Sequence, residues 1–589
     1  MTALDRSRTT GTTGTGGQGP RPARRFRLPG LGVANGLTMA VLGVLIVVPA
    51  VLILVAAFAD QIPRPGSDAL APTLGNFAVL VEAGVLEATM NSLVIGVGGT
   101  MLALVIGGFI AFVTARSDAP WRPLLFLIGL GPLFLPSYVG ALAWSMLGSP
   151  AAGLVNVAFR DLGIPLAIDM YTLTGLVVVL GMYYAPYAFL LVHSAFSMMN
   201  PDLEDAAHVH GGSMRKVLGG VTFPLALPAI LGSGLLVFTL IFENFPVAQT
   251  LGSPGSIETL PTFIYRLMNA FPSRGNEAAA LAVVLVAVVL GATLLQRWLI
   301  SRRSYTTVSG KGVRARRVPL GAWRWPVVAV ALVYLVAAIV APLGALLLTA
   351  IRTSPVMLSF GELAEPGAID FAVFPAVVSS DLFLGSATNS VLVGLAAAVF
   401  GTVLAFVAVY LAYRTRSRLA GALEAVSMTP LAVPHIVLGI GLLWTWLILP
   451  LPLYGTLAVM VVAFVAAQMP QGFRGLSAGI LQTDRDLEDS AVMLGAGRVR
   501  AISHVTVPLM KVGLTSTFLL LLMLSMRELT VPIFLYTADT RILSIAIFDE
   551  FENGGALQDA AALSLVYCLL ILVLSALPRL VDRRSRRNS

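Results

Sequence analysis

Long apolar runs, broken by short polar or Gly- and Pro-rich stretches, occupy the chain from residue 33 onward. Runs of roughly 20 apolar residues are long enough to cross a bilayer as helices. A helix also pairs its own backbone groups, as lipid requires. The runs predict spans at 33–59, 91–115, 122–147, 171–198, 225–247 and 277–299, then at 326–351, 390–413, 420–449, 454–480, 510–535 and 558–578. The alternation over about ten residues that marks a membrane barrel is absent. The predicted fold class is therefore an all-α integral membrane protein with twelve transmembrane helices in two tandem six-helix repeats. Residues 1–30, rich in Thr, Gly, Pro and Arg, read as a disordered tail. A signal peptide also begins with a basic stretch before an apolar one, but the run from Val33 to Ala57 is longer than a usual signal core and reads as a retained first span.

Composition supports the same class. Hydrophobic residues make up 57% of the chain and charged residues 12%, against about 25% charged in a soluble domain. The mean hydropathy is +0.87. The net charge of +8 reads as a topology signal. With the N-terminus inside, about 31 of the 38 Lys and Arg are assigned to the cytoplasmic side, span ends there included, and about seven remain outside or within spans: Arg64, Arg160, Arg266, Arg274, Arg352, Arg527 and Arg541. Basic residues gather on the cytoplasmic side, so both termini are expected there. Nucleic-acid binding, the rival reading of a basic chain, has little support beside this distribution. A lone cysteine, Cys568, can form no intrachain disulfide.

A repeat sharpens the picture. Leu203-Glu204-Asp205-Ala206-Ala207, Gly211 and Val221-Thr222-Phe223-Pro224-Leu225 recur as Leu487-Glu488-Asp489-Ser490-Ala491, Gly495 and Val505-Thr506-Val507-Pro508-Leu509. The copies align without a gap, since 489 − 205, 495 − 211 and 508 − 224 all give 284. Pro186 and Pro470 keep that offset, while Asn91-Ser92 and Arg116 match Asn389-Ser390 and Arg414 at 298. The domains read as a tail 1–30, a first unit 31–300 with the repeated loop at 199–224, a basic linker 301–325, a second unit 326–580 with its loop at 483–508, and a basic tail 581–589.

Each loop opens on carboxylates, Asp202, Glu204 and Asp205 or Asp484, Asp486, Glu488 and Asp489, which complement a helix N-terminus. Asp202 or Asp486 is a candidate N-cap. Small residues follow, then Gly211 or Gly495, suited to end a short helix. Next come the basic residues Arg215 and Lys216, or Arg498 and Arg500, and Pro224 or Pro508 at the entry to the next span. The product is a short surface helix with small residues on one face. One such loop alone could be a merely solvated connection; two gapless copies in equivalent places argue for a shared role.

These segments resemble the cytoplasmic EAA loop of binding-protein-dependent ABC importer permeases: an acidic residue, two small ones, three variable positions, Gly, and a later Pro. The family's leading Glu is Asp205 and Asp489 here, with Glu204 and Glu488 one position earlier, and Ser490 replaces the first Ala in the second copy. The resemblance covers nearly the whole chain after the tail, as two fused permease domains. It implies that Glu204, Asp205, Ala206, Ala207, Gly211 and Pro224, with Glu488, Asp489, Ser490, Ala491, Gly495 and Pro508, couple the chain to two copies of an ATP-binding cassette subunit. It also implies a periplasmic solute-binding protein as partner and the bacterial cytoplasmic membrane as location. Outer loops near 60–90, 250–276, 352–388 and 536–557 are the expected landing surface for that protein.

No Gly-x-x-x-x-Gly-Lys-Ser/Thr phosphate loop is present. The chain is therefore expected to be no enzyme and to bind no cofactor, with ATP and Mg on the partner subunits. Intramembrane ionisable groups usually face a cavity or each other. Glu243 and Asn244, with Arg527 and Glu528, are the translocation-path candidates; Glu243 and Glu528 stand 285 apart, close to the repeat offset. An interfacial cap or a structural ion pair would explain them equally well. Tyr183, Tyr184, Pro186 and Tyr187 mark a kink or an aromatic belt in the fourth span. His208-x-His210 has the spacing of a chelate but lacks further ligands, so no metal site is expected. The fused twelve-span form is most similar to ferric-iron permeases, with thiamine, 2-aminoethylphosphonate and polyamine permeases of like layout. An ion-gradient-driven secondary transporter, also often a repeat of two halves, is the rival from another class, but leaves the duplicated loop without a role.

Overall fold

The structure is a computed structural model, describing residues 29–63, 70–200, 202–301, 317–415, 418–554 and 557–587. The expected tail up to Leu28, Arg64 and linker residues 302–316 lie outside the described residues. Elements fall in two matching series. The first contains α1 (Gly32–Ala57), α2 (Ala83–Arg116), α3 (Arg122–Phe134), α4 (Ser137–Gly148), α5 (Leu173–Met198), α6 (Asp202–Val209), α7 (Leu218–Phe242), α8 (Leu260–Met268) and α9 (Gly275–Ser301). The second contains α10 (Gly321–Ile351), α11 (Asp381–Arg414), α12 (Ala420–Leu431), α13 (His435–Ile448), α14 (Leu457–Gln482), α15 (Arg485–Met493), α16 (Lys511–Arg527), α17 (Leu543–Asp549) and α18 (Leu557–Arg587). Among the described residues, nine helices are long and apolar enough to cross a bilayer, or up to twelve if each of three bent pairs is one span.

The bent pairs correct the predicted straight spans at 122–147 and 420–449. The chain turns by 93° between α3 and α4, and by 112° between α12 and α13. Pro136 and Pro434 immediately precede α4 and α13. A residue before proline is pushed out of the helical region, and Leu135 is extended at φ −95°, ψ 119°. The predicted end at 535 is also corrected. Helix α16 stops at Arg527, and α16 is itself bent by 76° from the segment Arg498–Leu509. Residues 317–324 of the expected linker pack on the first unit. Val318 donates to the Arg116 carbonyl at 2.7 Å, and Leu320 to Asp118 Oδ1 at 2.9 Å. The Arg324 guanidinium beside Asp118 holds its carboxyl below the usual range. The backbone of α18 continues as helix through residues 581–587, where a tail was expected.

Proline explains a second recurrent feature. Pro49, Pro224, Pro342 and Pro508 each follow a π turn, at Gly43–Val47, Leu218–Thr222, Val336–Val340 and Ile502–Thr506. Proline has no N–H, and its ring clashes with the carbonyl four residues back. The widened turn absorbs that misfit without ending the helix. Pro224 and Pro508 thus lie within helical runs that begin earlier than predicted.

Helices α2 and α5 approach closely at Gly107, where a Cβ would stand 2.4 Å from the Ala185 carbonyl oxygen. Pro186 lies inside α5, which runs on unbroken to Met198. Its missing N–H would leave the Met182 carbonyl, four residues back, unpaired. The Tyr334 hydroxyl of α10 donates to that oxygen at 2.9 Å, so a side chain of the second unit completes a helix of the first. Tyr334→Phe is expected to leave the buried carbonyl unsatisfied, at about 1–3 kcal/mol, and to lower the thermal midpoint of the detergent-solubilised chain. An unchanged midpoint would show that the bond contributes nothing.

Candidate functional site

The two repeated loops fold alike, and each local device is readable. Asn200 Oδ1 accepts from the Asp202 N–H at 3.0 Å, and Asp484 Oδ1 from the Asp486 N–H at 3.1 Å. The capping residues are thus Asn200 and Asp484, which are 284 apart, and not Asp202 or Asp486. At the other end Gly211 and Gly495 take φ of +78° and +94°, a conformation that glycine adopts freely. The chain then closes in a Schellman pattern. Gly212 N–H donates to Ala207 O at 2.9 Å, and Ala496 N–H to Ala491 O at 3.1 Å.

Glu204 and Glu488 face inward, only 4% and 3% exposed. Thr222 donates to Glu204 at 2.6 Å and Thr506 to Glu488 at 2.7 Å, an identical tie at the repeat offset. The cations differ. Arg116 of α2, fully buried, pairs with Glu204. Its sequence counterpart Arg414 instead donates to the carbonyls of Ile480 and Thr483 at the end of α14. Glu488 is held by Arg498 at 2.9 Å and by the Tyr410 hydroxyl. Phe112 and Met214 stand where Tyr410 and Arg498 would be in the first copy.

Around these anchors the rest of each helix is open. Asp205, Ala206 and Gly211 are exposed and Ala207 half-buried; Asp489, Ser490 and Gly495 are exposed and Ala491 half-buried. Pro224 and Pro508 are exposed as well. Large apolar side chains stand out beside them: Val209 is 85% exposed, Met493 89% and Leu494 90%. Exposed apolar residues grouped on a polar loop are a feature of surfaces that contact another protein or a membrane.

The second set of candidates gathers where the two series meet. Asn244 donates to the Tyr184 hydroxyl at 2.9 Å and accepts from the Val247 N–H at 3.0 Å. Glu528 accepts from the Thr530 and Val531 N–H groups at 3.0 and 3.2 Å. The bonds to Val247 and Val531, each three residues on, make Asn244 and Glu528 the true counterparts, at an offset of 284, and pair Glu243 with Arg527. The expected match of Glu243 with Glu528 is off by one residue. Glu528 also lies 3.4 Å from His435. Arg527 reaches across to the Leu135 carbonyl at 3.5 Å. Beside this polar cluster, aromatic contacts cross between the series: Tyr138 with Phe548, Phe245 with Phe548, and Tyr265 with Phe534.

The family of binding-protein-dependent transport system inner membrane components matches residues 103–305 and again 399–587, about two thirds of the chain. The chain belongs to this family. It is similar to the ferric transport system permease protein FbpB of Actinobacillus pleuropneumoniae, 23% identical over 81% of this chain and 68% of that one. It is also similar to the Fe(3+)-transport system permease protein FbpB 2 of Haemophilus influenzae, 23% identical over 84% of this chain and 88% of the relative. PhnV of Salmonella typhi, a permease protein named for 2-aminoethylphosphonate transport, is 30% identical over 27% of this chain and 61% of its own length. The chain is thus a multi-pass ABC importer permease with the family domain present twice.

In this permease, residues that the repeat singled out without suggesting a role prove to be structural pins. Asn91 donates to the Glu258 carbonyl at 2.9 Å, and Ser92 accepts from the Leu260 N–H at 2.8 Å. Asn389 and Ser390 do the same with Arg541 O at 2.9 Å and Leu543 N–H at 2.7 Å. The pairs fasten the start of α8 and α17. The repeated Asn-Ser dipeptide was the only sign of this, and it names no partner. His435, absent from the candidates, joins the central cluster. The side chain of His208 lies outside what the structure describes; among the described residues no cluster of three His, Cys, Asp or Glu could hold a metal ion.

Proposed function

We propose that this permease passes ferric iron, delivered by a periplasmic binding protein, across the bacterial inner membrane by alternating access. The two units each supply six spans, both termini are cytoplasmic, and α6 and α15 each seat in a groove of one ATP-binding subunit. The observation that carries this reading is the pair of identically capped loop helices, each anchored inward by a buried glutamate and open outward with exposed apolar residues. A loop built only to connect spans has no need for two such surfaces. ATP and Mg belong to the partner subunits, and this chain acts as a transport subunit without a catalytic site. Glu243, Asn244, Arg527 and Glu528 lie beside the path, where the two halves meet. Iron is favoured by the FbpB relatives, which align over most of the chain, whereas PhnV aligns with only 27% of it.

The test is affinity capture of the detergent-solubilised chain with quantitative mass spectrometry, followed by uptake in proteoliposomes. Two copies of one ATP-binding subunit per chain, and ATP-dependent uptake of ferric iron from the co-encoded binding protein, are expected. Absence of any ATPase, even after cross-linking from cysteines placed in 205–211 and 489–495, would overturn the importer mechanism. Uptake of 2-aminoethylphosphonate in place of iron would overturn the substrate alone.

A further inference from the structure

The turn between α2 and α3 meets the start of α10, so helix ends of both units come together at one level. Residues 317–325 are strapped to that turn. Beyond the Val318 and Leu320 bonds described above, Asp118 N–H donates to the Val318 carbonyl at 3.2 Å, and Arg324 pairs with Asp118. Trp121 and Trp325 then meet edge to face, with ring centroids 5.7 Å apart. Trp121 stands at φ +55°, ψ +30°, where a bulky residue is an outlier. Backbone strain of this kind gathers at ligand clamps and switch regions. It does not serve to bury the ring: Trp121 is 55% exposed, Trp323 70% and Trp325 62%. Three of the chain's seven tryptophans thus lie open at one place. Beside them stand Arg122, Arg317 and Arg324, and Asp118 is the single carboxylate in residues 116–122 and 317–326. The Thr114 carbonyl fixes Arg122 at 2.9 Å, while Arg317 is exposed. The repeat does not account for this face. At the offset of 298, Leu419 and Ala420 replace Trp121 and Arg122, and Leu419 is ordinary at φ −87°.

We propose that this face docks the headgroup of an anionic phospholipid of the cytoplasmic leaflet, the guanidiniums taking the phosphate and the indoles seating beside the glycerol. An indole has an apolar body and a polar N–H, and tryptophans gather at the headgroup level of a bilayer. Basic groups at the cytoplasmic ends of spans attract anionic lipid. Charge selects the lipid, because three cations against one carboxylate leave a surplus that a zwitterionic headgroup does not match. Position selects a lipid over a soluble partner, because α2, α3 and α10 all end or begin here, at the boundary of the apolar runs. The leaflet, but not the lipid, rests on the orientation proposed above.

The test places the full chain in nanodiscs of phosphatidylcholine. These carry traces of phosphatidylglycerol with a photoreactive group near the top of one acyl chain, or of the matching phosphatidylcholine probe. After illumination, mass spectrometry maps the labelled peptides. The phosphatidylglycerol probe is expected to label residues 117–125 and 317–326 about tenfold more than the phosphatidylcholine probe, as about two surplus charges acting on one anionic headgroup would give. Arg317→Gln with Trp323→Ala is expected to bring the ratio near one at an unchanged thermal midpoint, since both side chains are exposed. Equal labelling by the two probes, or a ratio that survives the double change, would overturn the proposal. Excess unlabelled phosphatidylglycerol is expected to suppress the labelling. Suppression by the same excess of inorganic phosphate would assign the face to a free anion, and loss of labelling once the ATPase subunits are bound would assign it to them; either overturns the lipid. The orientation fails separately: a Trp323→Cys, Cys568→Ser chain that reacts with an impermeant thiol reagent from the periplasmic face would reverse the leaflet and leave the nanodisc result intact.

Discussion

Replacing Glu204 with alanine is expected to cost about 3–5 kcal/mol of stability, the loss typical when one partner of a buried ion pair is removed. Arg116 is fully buried, and Glu204 is the partner of its guanidinium. Without the carboxylate, the cation would stay in the interior with no counter-charge beside it. The second copy predicts a smaller effect. Glu488→Ala leaves Arg498 bonded to Asp489 at 2.9 Å and to the Tyr410 hydroxyl at 3.2 Å. Arg498 also lies nearer the surface. The hydroxyl donors of Thr506 and Tyr410 lose their acceptor, so about 1–3 kcal/mol is expected. Replacing both Arg116 and Glu204 with leucine is expected to recover much of the first loss, because an apolar pair of similar volume often serves as well as a buried salt bridge. Thermal unfolding of the parent and these three variants in one detergent measures this. A Glu204→Ala chain as stable as the parent, or one less damaged than Glu488→Ala, would refute the asymmetry.

That asymmetry shows where the sequence was legible. The offset of 284 located both loop helices, their terminating glycines and their following prolines, because these depend on neighbours a few residues away. The inward turn of Glu204 and Glu488 was not legible: the adjacent Asp205 and Asp489 carry the same charge, and only a neighbouring helix decides which one is buried. Arg116 and Arg414 likewise looked equivalent, yet their partners are set by Tyr410 and Arg498, residues without counterparts in the first copy. Apolar runs predicted most spans, since length and hydropathy are properties of a segment. They missed the bends at Pro136 and Pro434 because a broken helix pair carries the same apolar composition as a straight one. The register of Glu243 against Arg527 needed the backbone bonds of Asn244 and Glu528, which a one-residue ambiguity in the offset concealed.

Gly211→Asp combined with Gly495→Asp is expected to leave membrane insertion intact while weakening ATPase association about tenfold or more, a change of at least about 1.4 kcal/mol. At both sites a Cβ would meet nothing within 4 Å, so the permease itself has room for a side chain. The positive φ adds a cost of about 1–2 kcal/mol per residue for most L-residues, less for Asn and Asp, which visit this region more readily. The fold therefore tolerates the change, and the effect falls on what docks outside. A carboxylate placed beside Val209, or beside Met493 and Leu494, would be desolvated without a partner as a groove closed over these side chains, and an unpaired buried charge is costly. The Gly211→Asn, Gly495→Asn chain separates backbone from charge: it adopts the same φ and adds similar bulk, yet stays neutral. It is expected to bind ATPase more tightly than the Asp chain and to retain partial uptake. Co-purification of the ATPase and ATP-dependent uptake, measured on chains inserted to equal levels, decide the matter. Normal transport by the double Asp chain would mean that α6 and α15 do not carry the ATPase contact.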